Sequence, residues 1–367
     1  MRIAIDARLA DYTLGGIARY TVQLARALSE LESAHELLAI RSRRPKVAAP
    51  EIAAHTELRA WTPPHHRFER YTLPWELRGA GIDVLHSPDF IPPRSNRWAK
   101  VITVHDLAFL RFPWTVTGAS RRYYGKIRRA VREADAVIAV SQATANDLVD
   151  LVGAAPEKIS VIAEGVEPGL APMDRAEARR IVADRFKVSD PYVLFVGTLE
   201  PRKNLPTLLH AYAQLRKDFP VRLVLAGARG WLADDIFTAI RVLKLEDSVD
   251  VIGAVPPEEL RQLYCGAEVL VLPSLYEGFG LPPLEAMACG TPVVVSSAGS
   301  LPEVVGDAGV VVAPDEPADL AGGLGWVLGN PSFHAELARR GLARAAEFTW
   351  ERAARETLAI YERVVPR

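Results

Sequence analysis

The chain has 367 residues, of which 49% are hydrophobic and 24% are charged, and this composition excludes a disordered or collagen-like protein. Its uninterrupted apolar runs are a few residues long, whereas a membrane-spanning helix needs about 20 residues. The formal net charge is −1, but residues 1–132 hold 22 lysines and arginines against 12 aspartates and glutamates. The N-terminal part therefore predicts either an anionic partner or a solvated basic surface.

The first residues and the cysteines indicate a reducing compartment. Asp6 and Arg8 interrupt the apolar core that a signal peptide requires, so we expect no export. Cys265 and Cys289 lack a C-x-x-C spacing and a neighbouring histidine, which argues against a disulfide framework and a cysteine-based zinc site. The sequence therefore predicts a cytoplasmic protein without a bound metal.

Short β-branched runs alternate with helical patterns from the first residues onward. The predicted strands of the first half are Ile3–Asp6, Leu37–Ile40, Ile82–His86, Val101–Val104, Ala136–Val140 and Ile159–Ile162. The predicted helices among them are Ile17–Leu31, Ser120–Ala134 and Gln142–Leu151. Most of these strands are continuous apolar runs, which is typical of parallel strands covered on both faces.

The alternation restarts after a charged helix at Asp174–Lys187 that has no strand partner. The predicted strands of the second half are Tyr192–Val196, Leu223–Ala226, Val249–Ile252, Val269–Leu272, Pro292–Ser296 and Val310–Val312. Helices are predicted at Leu205–Lys217, Leu260–Cys265, Ala318–Leu328 and Trp350–Val364. This pattern predicts an α/β protein with two doubly wound Rossmann-like domains facing a central cleft.

The restart places the linker near residues 164–190. We therefore predict an N-terminal domain at residues 1–170 and a C-terminal domain at residues 171–348. The last segment, residues 349–367, is predicted to be a helix that packs back on the N-terminal domain. Ligands of such sheets bind beyond the carboxyl ends of the strands, so the residues that follow strands are the candidates for a site.

The strongest chemical signal is the loop PSLYEGFGLPPLEAMACG, residues 273–290, which follows a predicted strand. A helix that begins near Pro282 would direct its N–H groups and its dipole toward an anion such as phosphate. Glu277 and Glu285, eight positions apart, can accept hydrogen bonds from sugar hydroxyls. The alternative is that Glu277 is a solvated loop acid and that Glu285 only complements the helix dipole.

A second signal, GTLEPRKN at residues 197–204, follows the strand Tyr192–Val196. Arg202 and Lys203 lie between a strand end and a helix start, where they can neutralise a diphosphate; the alternative is a solvated turn. Asn204 is predicted to cap the following helix.

Three weaker signals lie in the first half. Gly15 and Gly16 occupy a phosphate-loop position after the first strand, but without the G-x-G-x-x-G spacing of nicotinamide binding. His86 ends one predicted strand and His105 follows another, and both are predicted to line the mouth of the cleft, with a structural role as the alternative for each. Ser141 closes a strand in the same way and could hydrogen-bond a substrate.

These motifs together resemble those of the retaining glycosyltransferases of family GT4. The similarity rests on EGFGLPPLEA with its two glutamates, VGTLEPRKN, the N-terminal glycine pair and TVHD, and it extends over essentially the whole chain. It is strongest to bacterial mannosyltransferases of surface-polysaccharide and glycolipid assembly. The resemblance implies the GT-B fold, with the acceptor bound by the N-terminal domain and a nucleotide-diphosphate sugar by the C-terminal domain. It also implies that no divalent metal and no cofactor take part.

The resemblance further implies roles for single residues. Catalytic roles fall to His105 beside the reacting sugar, to Arg202 and Lys203 on the leaving diphosphate, and to Glu277 on the hydroxyls of the transferred sugar. The donor-binding positions are Gly15, Gly16, Gly253, Ala254, Val255, Gly278, Phe279, Gly280, Leu281 and Glu285. Among these, Glu285 would bind the ribose and residues 253–255 the base. Thr198 departs from the family, in which many members have an arginine at that position.

The expected activity is transfer of a hexose, with mannose from GDP-mannose as the best hypothesis, to a glycan or lipid-linked acceptor. Two rival functions remain open: a nucleotide-sugar epimerase of the same fold, which needs no acceptor, and a non-enzymatic two-lobed solute-binding protein. The predicted lack of export and the Arg202-Lys203 pair argue against the solute-binding protein. No nucleic-acid partner is expected.

The segment Ser120–Ala134 predicts a basic amphipathic helix. Arg122, Lys126 and Arg129 form one stripe at helical spacing, which could hold the protein against anionic lipid at the inner face of the plasma membrane. The alternative is that the apolar line of this helix packs inside the N-terminal domain and that its cations are solvated.

Overall fold

The computed structural model describes residues 1–13, 15–48, 51–115, 123–189 and 191–365. The chain divides into two compact units, one made of Met1–Gly165 with Phe348–Arg367 and the other of Val166–Glu347. Across the described ranges, no helix combines the length and the apolar character that crossing a bilayer requires.

Within its described residues, the first unit contains a seven-stranded sheet whose neighbouring strands are all parallel. The strands are β1 Arg2–Asp6, β2 Glu36–Ser42, β3 Thr56–Ala60, β4 Val84–Ser87, β5 Ala99–Val104, β6 Ala136–Ala139 and β7 Ile159–Val161. Their spatial order is β3-β2-β1-β4-β5-β6-β7. The strand β6, with the sequence AVIA, is buried along its whole length.

Helices cover both faces of this sheet. Those that precede the second unit are α1 Gly16–Glu30, α2 Glu69–Glu76, α3 Ala108–Arg111, α4 Ile127–Glu133 and α5 Gln142–Asp147. Because side chains alternate along a strand, Ile3 and Ile5 of β1 pack in one core with Leu24 of α1. Ala4, which lies between them, packs in another core with Leu73 of α2.

The described part of the second unit contains a six-stranded parallel sheet in the order β10-β9-β8-β11-β12-β13. The strands are β8 Tyr192–Val196, β9 Arg222–Ala226, β10 Val249–Gly253, β11 Val269–Leu272, β12 Val293–Ser296 and β13 Val310–Val312. The helices are α6 Arg175–Phe186, α7 Leu205–Leu215, α8 Asp234–Val242, α9 Pro257–Gly266, α10 Leu281–Ala288, α11 Leu301–Val305, α12 Pro317–Gly329 and α13 Pro331–Ala345.

The final helix, α14 Trp350–Val364, is part of the first unit although it lies at the end of the chain. Its buried residues, among them Ala354, Ile360 and Tyr361, share a core with α1. The returning chain passes so close to Gly165 that a Cβ on this glycine would lie 2.4 Å from the backbone nitrogen of Trp350. The first unit is therefore built from two separate stretches of sequence.

Each sheet reverses its strand order beside its first strand, between β1 and β4 in one unit and between β8 and β11 in the other. Ligands of doubly wound sheets bind at such switch points, beyond the carboxyl ends of the strands. In the first unit, Asp6 and Ser87 end these two strands. In the second unit, the loops 197–204 and 273–280 follow them.

The twelve predicted strands are all present, and the prediction of two doubly wound parallel sheets is confirmed. The edge strand β3, Thr56–Ala60, was not predicted from the sequence. Its residues alternate between half-buried or buried and exposed positions, so it has no continuous apolar run.

Two helix predictions need correction. Residues 116–122 lie outside the described residues, so Ser120, Arg121 and Arg122 are not placed. In the described part of Ser120–Ala134, Tyr123 and Tyr124 are helical, Gly125 and Lys126 form a turn, and helix α4 begins at Ile127. The other helix, predicted over Gln142–Leu151, ends at Asp147 and continues as a π-helical turn over Leu148–Val152.

Candidate functional site

The loop between β11 and α10 places Glu277 inside the second unit. Glu277 is 7% exposed, and both of its carboxylate oxygens accept hydrogen bonds. Oε1 accepts from Ser274 Oγ and from Lys203 Nζ, each at 2.6 Å, and Oε2 accepts from Arg202 Nη1 at 2.8 Å. The interpretation of Glu277 as a solvated loop acid is therefore wrong.

Arg202 and Lys203 reach this carboxylate from the loop that follows β8. Lys203 is only 8% exposed, so the interpretation of this pair as a solvated turn is also wrong. Arg202 is also paired with Glu200 at 2.9 Å. The structure thus joins Arg202, Lys203 and Glu277, which were predicted from separate motifs, at the switch point of the second sheet.

Burial and charge act in opposite directions on Glu277. Burial alone would raise the pKa of this carboxyl, but Arg202 and Lys203, together with the hydrogen bonds from Lys203 and Ser274, hold its pKa at about 2. Glu277 is therefore an anion at neutral pH, and it accepts charge-assisted hydrogen bonds, which are the stronger kind.

Asn204 ties the two loops of this site together. It precedes α7 as predicted and has a φ of 55°, but its side chain makes no capping bond to the helix backbone. Its Nδ2 donates instead to the carbonyl oxygens of Pro273, at 3.2 Å, and Pro314, at 2.7 Å. Thr198, which stands where many family members have an arginine, is exposed near the start of the same loop.

The backbone of the loop 277–281 is held from α11. Gly280 has a φ of 107°, a conformation that glycine adopts readily and other residues rarely do, and a Cβ there would lie 2.7 Å from Leu301 Cδ2. Ser300 Oγ donates to the carbonyl oxygens of Phe279, at 2.6 Å, and Glu277, at 3.1 Å. The loop is therefore fixed in place by hydrogen bonds from Ser300 to its backbone carbonyls as well as by the ion pairs of Glu277.

The start of α10 differs from an ordinary helix N-terminus. Leu281 is followed by Pro282 and Pro283, and proline has no N–H to donate. Gly280 and Leu281 are thus left to supply the N–H donors at this position. Because few N–H donors remain, an anion bound here would depend more on the charges of Arg202 and Lys203 than on the start of the helix.

Glu285 lies on the buried side of α10. It is 1% exposed, and its Oε2 accepts a hydrogen bond of 2.6 Å from the hydroxyl of Tyr264 on α9. The first turn of α10 contains no acidic residue, so the interpretation of Glu285 as a complement to the helix dipole is wrong. Its carboxylate joins the two helices inside the unit.

Residues 253–255, the predicted base-binding segment, end the edge strand β10. The pairing with β9 shifts register between Val251 and Gly253, and Gly253 has a φ of 76° with open space where a Cβ would be. Ala254 is exposed and Val255 is half-buried. The segment is thus accessible at the carboxyl edge of the second sheet.

His105 follows β5 in the first unit with both ring nitrogens engaged. Nδ1 lies 3.0 Å from a carboxylate oxygen of Glu164, and Nε2 lies 3.1 Å from the carbonyl oxygen of Pro88. Both partners are acceptors, so we assign the ring as doubly protonated. Burial lowers the pKa of His105, but Glu164 outweighs it and the net pKa is raised. Gly16, also in this unit, begins α1 with Gly15 as its N-cap.

Two other residues that were predicted to contact a ligand have structural roles instead. His86 is fully buried rather than at a cleft mouth; its nitrogens contact the hydroxyls of Tyr361 and Thr103, at 2.6 and 2.8 Å, and burial lowers its pKa to about 3. Ser141 caps α5, with its Oγ accepting from the backbone nitrogen of Thr144 at 3.0 Å. Neither residue is left to contact a substrate.

Several partners of these residues were not predicted from the sequence. Glu164 follows β7, so the strand-end rule that selected His105 could also have found it. Ser274 precedes Glu277 by three positions in the same loop. Tyr264 lies within a helix, and no local pattern distinguishes it from a core tyrosine.

Comparisons with known proteins agree with this architecture. The Glycosyl transferases group 1 model matches residues 178–344, and the Glycosyltransferase Family 4 model matches residues 14–170. O-antigen chain mannosyltransferase B of Escherichia coli is 31% identical over 383 residues, covering 99% of this chain and 100% of that protein. A D-inositol 3-phosphate glycosyltransferase of Acidothermus cellulolyticus is 33% identical over 302 residues, covering 76% of this chain and 66% of that protein.

Among solved structures, sucrose-phosphate synthase from Thermosynechococcus elongatus superposes with a TM-score of 0.81 at 25% identity and with 99% of each chain covered. The two family models together span nearly the whole sequence, and the relative from Escherichia coli matches it from end to end. The chain therefore belongs to the family 4, group 1 glycosyltransferases, and it is a glycosyltransferase of the GT-B fold.

Proposed function

We propose that the protein is a retaining hexosyltransferase that moves mannose from GDP-mannose to a glycan or lipid-linked acceptor. The observation that carries the use of a diphosphate donor is the buried cluster of Arg202, Lys203 and Glu277 at the switch point of the second sheet. The choice of mannose is supported by the end-to-end similarity to a mannosyltransferase. Family membership favours transfer over epimerisation and over solute binding.

In this proposal the second unit stabilises the leaving diphosphate. As the sugar–phosphate bond breaks, negative charge grows on the diphosphate and the sugar becomes oxocarbenium-like. Lys203 is buried and Arg202 is half-buried, and a cation in such a site attracts a phosphate more strongly than it does in water. Such a preorganised donor is typically worth about 3–4 kcal/mol in the transition state.

Glu277 binds the hydroxyls of the transferred sugar rather than acting as a base. Its pKa of about 2 makes it a weak proton acceptor at neutral pH. The leaving phosphate takes the proton of the acceptor hydroxyl on the same face of the sugar, which gives retention. The cations perform the charge stabilisation that a metal provides in other transferases, so we further propose that the reaction needs no divalent cation and no organic cofactor.

The test is release of nucleotide from GDP-mannose and from UDP-glucose, with and without a mannose-terminated oligosaccharide acceptor. We expect acceptor-dependent release of GDP and a product with the anomeric configuration of the donor, read by nuclear magnetic resonance. An epimerase would convert the donor without acceptor, and a binding protein would release nothing. Preference for UDP-glucose would contradict the assigned donor, and an inverted linkage would contradict retention.

We also propose a peripheral contact with anionic membrane, on the surface around α2. Phe68, Tyr71 and Trp75 follow one another at spacings of three and four residues and are 50%, 55% and 64% exposed. The guanidinium groups of Arg67 and Arg78 lie over the rings of Phe68 and Trp75, each 4.6 Å from the ring centroid. Exposed aromatic rings mixed with cations suit an anionic lipid surface.

Co-sedimentation with phosphatidylcholine vesicles, with and without phosphatidylglycerol, tests this contact. We expect binding that needs the anionic lipid, weakens at high salt and is reduced by Trp75→Ala. Trp326→Ala removes a similarly exposed tryptophan, 59% exposed, from the second unit and should leave binding unchanged. Equal losses in the two variants, or no binding at low salt, would refute the proposal.

A further inference from the structure

Polar residues also gather at the switch point of the first sheet, between β1 and β4. Asp6 ends β1, and Ser87 and Asp89 come from the end of β4 and the loop that follows it. His65 and Glu69 approach from the segment after β3. These five residues line one small cavity. In a doubly wound sheet this is a place where a ligand binds.

Two buried polar atoms in this cavity have no partner among the described residues. They are the hydroxyl oxygen of Ser87, which is 3% exposed, and Oδ1 of Asp89. A buried polar atom without a hydrogen bond typically costs about 1–3 kcal/mol. The other carboxylate oxygen of Asp89 pairs with the ring of His65. The cavity thus offers an acceptor and a hydroxyl group to a polar ligand.

The backbone here is also unusual. His65 has a φ of 63°, in the left-handed region that residues other than glycine rarely adopt, and Phe90, next to Asp89, has a φ of 27°. Such strain persists where the surrounding structure holds it, and it concentrates at functional sites.

Glu69 is held in the same cavity by Arg8. Arg8 is 1% exposed and contacts both Asp6, at 2.6 Å, and Glu69. Burial raises the pKa of Glu69 to about 7, although Arg8 opposes the rise. At neutral pH this carboxyl can therefore accept a hydrogen bond or donate one, as contact with a sugar hydroxyl requires.

A second cavity of about 260 Å³ shares Glu69 and Ile91 with the first in its walls. Besides Glu69, the charged side chains in its walls are four cations, Arg67, Arg70, Lys126 and Arg129. Arg70 and Arg129 both contact Glu133, at 2.6 and 3.0 Å. Arg67 and Lys126 lie against aromatic rings instead, and neither has a carboxylate partner in the part of the chain that the structure describes.

We propose that the two cavities form one site for a phosphate-bearing sugar. Ser87, Asp89 and Glu69 bind its hydroxyls, and Arg67 and Lys126 bind its phosphate. The inference rests on the proposed function, in which it gives the chemistry of the acceptor: a glycan that carries a phosphate, recognised by the first unit alone.

The test is calorimetric titration of the full-length protein saturated with GDP, which keeps phosphosugars out of the proposed donor site. The probes are mannose 1-phosphate, mannose 6-phosphate, methyl α-mannoside and inorganic phosphate. We expect at least one phosphosugar to bind tenfold or more tightly than either methyl α-mannoside or inorganic phosphate.

Variants locate the binding. The double variant Arg67→Gln/Lys126→Gln should weaken phosphosugar binding tenfold or more and leave GDP affinity unchanged. Ser87→Val, which fills the inner cavity, should weaken phosphosugar binding and leave the affinity for inorganic phosphate unchanged. Arg132→Gln removes an exposed cation from α4 outside both cavities and should change neither affinity. Circular dichroism and the melting temperature establish that each variant is folded.

The outcomes separate this site from the donor site. If GDP binds but no phosphosugar does, the inference fails while the proposed function stands. Equal affinity for inorganic phosphate and the phosphosugars would show that the site binds anions without recognising the sugar, and it would overturn the inference. If GDP does not bind, the donor assignment fails, and the loss of phosphosugar binding in Arg67→Gln/Lys126→Gln and Ser87→Val, or its persistence, still decides whether the first unit binds the phosphosugar.

Discussion

Replacing Glu277 by glutamine removes one charge from the buried cluster and keeps the size of the side chain. The lowering of its pKa from 4.5 to about 2 corresponds to about 3 kcal/mol of favourable interaction with its neighbours. Breaking a buried pair typically costs about 3–5 kcal/mol, and Lys203 would lose the carboxylate it contacts at 2.6 Å. We therefore expect a loss of about 3 kcal/mol in unfolding free energy and a melting temperature lower by about 6–12 °C.

The same substitution should act in opposite directions on binding and on transfer. Without the carboxylate, Arg202 and Lys203 keep their full attraction for a diphosphate, so GDP should bind as tightly as to the wild type or more tightly. Transfer should fall by orders of magnitude, because the hydroxyls of the sugar lose their charged acceptor. Calorimetry with GDP and the transfer assay measure the two effects separately.

The pH dependence gives a further check on Glu277. Its pKa in the folded protein lies below the ordinary value, so the stability it contributes is complete above about pH 4.5 and is lost as the pH falls toward 2. The stability difference between wild type and Glu277→Gln should therefore shrink over that interval. Glu246→Gln, at an exposed position of the same unit, should change stability by less than about 0.5 kcal/mol.

Two results would refute this reasoning. A Glu277→Gln variant as stable as the wild type would mean that the carboxylate does not balance the two cations. A variant that is folded but has lost its affinity for GDP would mean that Glu277 itself is needed to hold the diphosphate.

Three other substitutions or treatments test the site. Lys203→Ala should weaken GDP binding by about 2–4 kcal/mol in calorimetry, because a buried cation is removed, and unaltered affinity would contradict its role. Tyr264→Phe removes the 2.6 Å hydrogen bond to Glu285 and should lower the unfolding free energy by about 1–3 kcal/mol in chemical denaturation; a neutral effect would show that this bond contributes little. EDTA should leave the transfer rate unchanged, whereas a loss restored by Mg²⁺ or Mn²⁺ would show that a metal takes part.

The interior strands could be predicted because burial on both faces leaves a continuous apolar run, as in β11 with the sequence VLVL. The edge strand β3 could not, because one of its faces is exposed and its sequence TELRA resembles a loop. The prediction of one continuous helix over Ser120–Ala134 did not take account of Gly125, where the structure has a turn.

Arg202, Lys203 and Glu277 were found because parallel strands bring their carboxyl ends to one edge of a sheet. Their mutual pairing could not be read from the sequence, since 74 positions separate Lys203 from Glu277. The same rule failed for His86 and Ser141, because a residue at a strand end can also turn inward to bond a hydroxyl or cap the next helix.

The return of α14 to the first unit affects the order in which the protein can fold during synthesis. The second unit is one continuous stretch of sequence that ends before α14 begins. Until α14 emerges, the core beside α1 lacks Ile360 and Tyr361, and His86 lacks its 2.6 Å bond to the Tyr361 hydroxyl. Although most of the first unit is synthesised first, its core can therefore be completed only after the whole second unit has been synthesised. A nonsense codon or a ribosomal stall between the codons for Glu347 and Trp350 would spare the second unit and leave the first without α14.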